Sequence, residues 1–223
     1  MSIVSRWLVV SLILALVVRI VTLHVLGYQP HRSIITEVFQ GFVAGGVLGC
    51  FMADIFARIK TTTVNGWITH FGCGVPGNGM LFRAACALRI LGPVSIPQEA
   101  MYWFTSKDGA GRKLNGRHNY MMHFPPGCLP PNDAFWSLTM GDARNRFVAN
   151  PINRYSVSDR SGLVSNADGS VDIYIQKNAP AGPESNWLPA PDGKFILWLR
   201  VYLPGQAVLD GTYKVPPIVE AKR

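Results

Sequence analysis

Residues 170–177 read SVDIYIQK, a run in which the polar Asp172 alternates with the apolar Val171 and Ile173. Successive side chains of a strand point to opposite faces, so the run predicts a strand with one face buried and one wet. Five further runs share its wealth of aromatic and branched residues: AMYWFTS (100–106), RHNYMMHF (117–124), AFWSLTM (134–140), NRYSVS (153–158) and KFILWLRVYL (194–203). Turn signals separate them, among them Lys107-Asp108-Gly109, Asp168-Gly169 and Asp192-Gly193. Short strands at this spacing predict a mainly β fold, a jelly-roll-like antiparallel β-sandwich. About 130 residues are enough to enclose a core of their own.

Upstream, MLFRAACALRILG (80–92) reads as one amphipathic helix ended by Gly92 and Pro93. Before it, TTTVNGWITHFGCGVPGNG (61–79) is polar and rich in glycine. These patterns predict a linker over 61–78 and a domain of helix plus β-sandwich over 79–223.

The first sixty residues have a different solvent. WLVVSLILALVVRIVTLHVL (7–26) is long enough to cross a bilayer, and GFVAGGVLGCFMADIFA (41–57) carries a small residue at every fourth place: Gly41, Gly45, Gly49, Ala53 and Ala57. In water, glycines inside a helix cost about 1 kcal/mol each, whereas in lipid such a ridge lets another helix approach closely. With GYQPHRS (27–33) as the turn, the segment predicts a transmembrane helical hairpin over 1–60, spanning about 7–26 and 34–58. Folded at Pro30, the hairpin sets Arg6 opposite Asp54 and brings Arg19 within a turn of Glu37, so opposite charges meet where unpaired ones are costly. The partners implied are membrane lipid and a transmembrane helix of another protein or of a second copy. Two competing readings exist, a glycine-rich helix in a soluble core and a cleaved signal peptide; no small-x-small cleavage site follows the first run.

The chain of 223 residues has a net charge of +8 at pH 7. No basic stretch interleaves with aromatics, and GRKLNGRH (111–118) reads as a solvated turn, so nucleic acid is not an expected partner. Four cysteines, Cys50, Cys73, Cys86 and Cys128, lack metal-ligand spacing. One bridge, such as Cys73 to Cys128, would need an oxidising compartment. GCGVPG (72–77) fits G-x-G-x-x-G, but antiparallel-looking hairpins follow where a dinucleotide site needs a parallel strand. No G-x-S-x-G elbow, H-E-x-x-H helix or P-loop is present. His118 and His123 are five apart, opposite faces of a strand, which argues against a shared metal. Asp133, Asp142 and Asp159 suit turn capping. No metal and no cofactor is expected.

Five blocks carry a resemblance: PPNDAFWSLTMGD (130–142), ANPINRYSVSD (149–159), NADGSVDIYIQ (166–176), NWLPAPDGKFILWLRVYLP (186–204) and VLDGTYKVPPI (208–218). In order and wording they resemble the family catalogued as domain of unknown function 1214, from about Asn65 to Ile218. The resemblance implies a bacterial jelly-roll β domain, sometimes fused behind a companion domain of unknown function 1254 and sometimes short and membrane-anchored. The companion is missing here, and Gly141 stands where the family pattern has an aromatic before Asp142. The resemblance brings no activity with it.

Within these blocks Arg154 and Tyr155, and Asn186 and Trp187, set long donors beside flat aromatic faces. Clefts for sugars, carboxylates or peptides use that combination, although its ordinary role in a sandwich is architectural. Two classes of function follow. One is a membrane-anchored binding or accessory domain of the bacterial cell envelope, a subunit of a membrane assembly with no assignable reaction. The other is an envelope enzyme acting on a carbohydrate or small molecule through a cleft near Arg154. Arg6, Arg58 and Lys60 at the open end of the hairpin favour a cytoplasmic β domain, the exported look of relatives a periplasmic one. The reading adopted is the inner membrane with the β domain periplasmic.

Overall fold

The computed structural model describes residues 61–69, 72–79 and 95–221, together with helical positions at 17, 43, 45, 46, 82, 83 and 86. The chain divides into two compact units, Met1–Ile59 with Gly79–Arg89, and Lys60–Asn78 with Ile90–Arg223. In the first unit Gly45, Phe82 and Cys86 are buried, and Val17, Val43, Gly46 and Arg83 are exposed. The helix expected over 80–92 has its described positions, Phe82, Arg83 and Cys86, in this unit, not with the β residues. Among the described residues no helix is long and apolar enough to cross a membrane. The predicted hairpin, with Arg6, Arg19, Glu37, Asp54, Gly41, Gly49, Ala53 and Ala57, lies outside the described residues; of its small-residue ridge only Gly45 is described.

The second unit is mainly β. Its strands are β1 (Thr62–Val64), β2 (Trp67–Thr69), β3 (Ala100–Thr105), β4 (Tyr120–Phe124), β5 (Asn132–Asp142), β6 (Ser156–Ser158), β7 (Val171–Gln176), β8 (Trp187–Pro189), β9 (Phe195–Pro204) and β10 (Ile218–Glu220). They form a six-stranded sheet in the order β1-β2-β3-β9-β5-β6 and a four-stranded sheet in the order β10-β4-β7-β8. The six runs read from the sequence are β3, β4, β5, β6, β7 and β9. Val171, Ile173 and Ile175 of β7 are buried while Asp172, Tyr174 and Gln176 are half-buried, which is the alternation of a strand with one face in the core. One hydrophobic cluster draws on both sheets, including Trp103, Trp136, Leu138, Leu197, Leu199 and Val201 from one, and Met122, Phe124, Ile173, Ile175 and Leu188 from the other.

Two expectations are corrected. Residues 62–69 are not linker: Asn65 and Gly66 (φ 54° and 83°) turn β1 into β2, which pairs with β3. Trp67 is 1% exposed, and its indole N–H donates to the Pro216 carbonyl at 2.7 Å. A large side chain with its one donor satisfied inside the core holds this hairpin to the sheet. The pairing is also not all antiparallel, because β7 and β8 run parallel, with Tyr174 opposite Trp187 and Gln176 opposite Pro189. A parallel return needs a crossover, and residues 177–186 make it with a 3-10 turn at Glu184–Asn186.

Gly116 lies where two backbones meet. A Cβ there would run into the Pro191 carbonyl oxygen, while the Gly116 N–H donates to the Gly193 carbonyl at 2.8 Å. Gly116→Ala is expected to destabilise the β unit by about 3 kcal/mol in chemical denaturation, as overpacking of a tight site does; a loss under 1 kcal/mol would show that the two loops are not in contact.

Candidate functional site

Arg154, Asn186 and Trp187 come together at the crossover between β7 and β8. Arg154 Nη1 donates to the carbonyls of Glu184 and Trp187, the second at 3.1 Å. Its Nη2 lies 3.8 Å from the Glu184 carboxylate. The backbone of Arg154 is fixed as well, its N–H donating to Asn150 Oδ1 and its carbonyl accepting from Asn150 Nδ2, both at 2.9 Å. Asn186 is 1% exposed. Its Nδ2 donates to the carbonyls of Val164 at 2.8 Å and Asp172 at 2.9 Å, and its Oδ1 accepts from the Val164 N–H at 2.9 Å. The buried Trp187 ring donates its N–H to the Gln176 carbonyl at 2.8 Å. These donors are therefore engaged with main-chain carbonyls of the protein itself, and they brace a loop that no sheet ladder holds.

Tyr155 follows Arg154 but faces another loop. Its ring packs 5.5 Å from that of Phe147, and its carbonyl accepts the Met140 N–H at 3.0 Å. Phe147 is 71% exposed, on the connection between β5 and β6. That connection is held from several sides. Asp142 accepts the N–H groups of Arg144 (2.8 Å) and Arg146 (2.9 Å), and its other oxygen pairs with the Arg146 guanidinium. The Arg146 N–H, with its guanidinium and the Arg144 N–H, holds the Asp142 carboxyl below its usual range. Asn145, at φ 60°, accepts the indole N–H of Trp198 at 2.7 Å. Gly141 leaves that space free, since a Cβ there would meet Ile196 at 3.3 Å and Asn145 at 3.5 Å. The sequence reading passed over Phe147; the signal was GDARNRF (141–147), a large apolar residue amid turn formers and arginines.

The histidines belong to separate pairs. His123 Nδ1 lies 2.6 Å from Asp172, whose second oxygen accepts Asn166 Nδ2, and His118 Nδ1 lies 2.7 Å from Glu220. Among the described residues no three His, Cys, Asp or Glu side chains gather. Residues 72–79 are turns bonded internally, Asn78 Nδ2 donating to the Gly72 carbonyl at 2.6 Å, and β2 and β3 on either side of them are antiparallel, not the parallel strands of a dinucleotide site. Cys73 and Cys86 are each disulfide-bonded, whereas Cys128 is free and exposed, so the Cys73–Cys128 bridge does not form. A shallow recess is lined by Trp67, Thr69, Trp103, Tyr213 and Val215 among others. Burial keeps the Tyr213 phenol protonated well above the usual tyrosine range.

Two sheets around one core, with a parallel edge strand braced by Arg154 and Asn186, define a β domain whose counterpart among known families can be stated. The model of the family DUF1214, protein of unknown function, matches residues 99–206, and that stretch of the chain is a DUF1214 domain. The VPA0106 protein from Vibrio parahaemolyticus, seen by crystallography, is similar in fold, with a TM-score of 0.62 and 24% identity. The alignment covers 93% of this chain and 51% of that one, so this chain spans about half the length of its neighbour. An uncharacterised protein from Burkholderia cenocepacia aligns over 86% of this chain and 44% of its own at 14% identity, with a TM-score of 0.38. No curated protein matches the chain.

Replacing Asn186 by leucine removes the side-chain partner of three main-chain groups, the Val164 N–H and the carbonyls of Val164 and Asp172, and buries nothing polar in its place. Asn186→Leu is expected to cost about 3 kcal/mol or more in urea unfolding. A loss below 1 kcal/mol would mean that water replaces the amide and that the crossover does not depend on it.

Proposed function

We propose that the protein is a membrane-tethered, jelly-roll-like β domain of the bacterial cell envelope that serves a membrane assembly as a binding or accessory subunit. The observation that carries the binding role is Phe147, a large apolar side chain 71% exposed on a loop that Asp142, Asn145 and Tyr155 hold in place. A floppy loop would hide such a ring, while a braced one presents it, and aromatic residues flanked by arginine are favoured anchors of protein interfaces. The tether rests on the apolar runs 7–26 and 41–57, with membrane lipid as its surroundings. Gly45, helical and buried, belongs to the small-residue ridge that suits a partner helix or a second copy. Disulfide-bonded Cys73 and Cys86 support an oxidising surrounding, hence a β unit on the periplasmic side of the inner membrane.

Native mass spectrometry in mild detergent tests the assembly. The wild type is expected to form a defined complex that Gly45→Leu disrupts and that Phe147→Asp weakens at least tenfold without changing the thermal midpoint, as loss of an interface anchor does. A strictly monomeric wild type overturns the reading. The free thiol of Cys128 reports sidedness: a membrane-impermeant maleimide is expected to label it in cells whose outer membrane alone is opened. Labelling only after lysis of the inner membrane would put the β unit in the cytoplasm.

A further inference from the structure

The two ends of the six-stranded sheet differ in how the chain reaches them. Thr62 pairs with Thr69, Thr69 with Trp103, and Trp103 with Leu199. The chain enters β1 at Thr62, leaves β2 at Thr69 and enters β3 at Ala100, each time on the side of the sheet where Ala100 lies opposite Tyr202. Phe147 belongs to the other end, where Asp142 pairs with Phe195.

Two exposed apolar side chains mark the end of entry. Ile96 is 41% exposed and Leu203 48% exposed. They flank a single turn, because the Glu99 N–H donates to the Ile96 carbonyl at 2.9 Å and the Leu203 N–H to the Glu99 carbonyl at 2.9 Å. Leu203 holds φ at 47°, a left-handed conformation that leucine rarely takes. Nearby, on the outer side of the same sheet, Phe135 stacks on Tyr202 at 4.5 Å, and the Arg160 guanidinium lies 4.5 Å from the Phe135 ring.

Chain length fixes what this end can meet. Four peptide steps lead from Arg58, the last residue of the second predicted span, to Thr62, a reach of at most about 14 Å. From the level of Thr62, paired through Thr69 with Trp103, the sheet extends three residues, about 10 Å, back to Ala100. The headgroup layer on one side of a bilayer is itself about 5–8 Å deep. With its strands upright on a membrane that the run crosses, the β unit has no room to hold this edge clear of the headgroups. We propose that the end of the β unit bearing Ile96 and Leu203 is a lipid-contacting surface whose two apolar side chains enter the headgroup layer. The inference rests on the tethered reading above and adds the orientation of the β unit. Contact comes from apolar insertion with aromatic and arginine neighbours at the interface, as Tyr202, Phe135 and Arg160 offer. Glu99, Asp133 and Asp159 are exposed at the same end, so anionic lipid is not required.

The full chain in phosphatidylcholine vesicles gives the test. In a Cys128→Ala background, Ile96→Cys and Leu203→Cys carry an environment-sensitive fluorophore, with Phe147→Cys as comparator at the far end and the unsubstituted background as blank. Doxyl-labelled phosphatidylcholine is expected to quench the fluorophore at least twofold at 96 and 203 and to leave it unchanged at 147. Equal response at all three positions, or quenching at 147 alone, overturns the surface. Amide exchange of residues 95–99 in the unaltered chain, slower in phosphatidylcholine nanodiscs than in detergent if the surface is right and the same if it is wrong, answers without substitution. A carbonate wash separates the two levels. A chain that washes off ends both tether and surface, while a chain that stays with unquenched probes ends the surface alone.

Discussion

Strand β8 has to arrive beside β7 in the same direction, and the loop that brings it there carries main-chain groups for which neither sheet has a partner. Arg154 supplies partners there, and Asn186, at the end of that loop, ties it to the 164 segment and to β7. The buried amide joins the 164 segment to β7 through both of its polar ends, and the guanidinium closes on the carbonyls at either end of the 3-10 turn. Once Leu188 is seated, the four-stranded sheet has its full inner face for the common core. A buried polar group left alone would cost what the burial of a Leu or Val gives back, which is why a fully bonded asparagine belongs there.

The strands of the core were legible because their side chains alternate or run continuously apolar. SVDIYIQ has the first property, and FILWL (195–199) within KFILWLRVYL has the second. The three-residue strands β1, β8 and β10 do not. Thr62–Val64 reads as polar loop, and its place in the sheet comes from Trp67, whose burial depends on Pro216, a residue 149 positions away. The parallel β7–β8 pair was equally hidden, since direction is set by a crossover whose length and composition resemble any loop. The disulfide-bonded state of Cys73 and Cys86 is likewise a matter of distance in space, which spacing along the chain does not report.

The candidate site was legible in part, and for an instructive reason. Long donors beside aromatic rings mark a place where a backbone needs help, and a ligand is one such backbone while the protein's own is another. Arg154, Asn186 and Trp187 serve the protein's own. Phe147 escaped notice because a lone aromatic in a polar loop carries no periodicity; what distinguishes it is the set of bonds beneath it, from Asp142 to the Arg144 and Arg146 amides and from Asn145 to Trp198. Rigidity there is a tertiary property, built by a tryptophan on a strand fifty residues downstream of the loop it steadies.

The central position of β9 in the six-stranded sheet has a consequence in time. It lies between β3 and β5, yet it is the last long strand to be made, so those two strands wait for residues 195–204 before they can pair with anything between them. Contacts between segments about a hundred residues apart form slowly, and until they do the chain stays open.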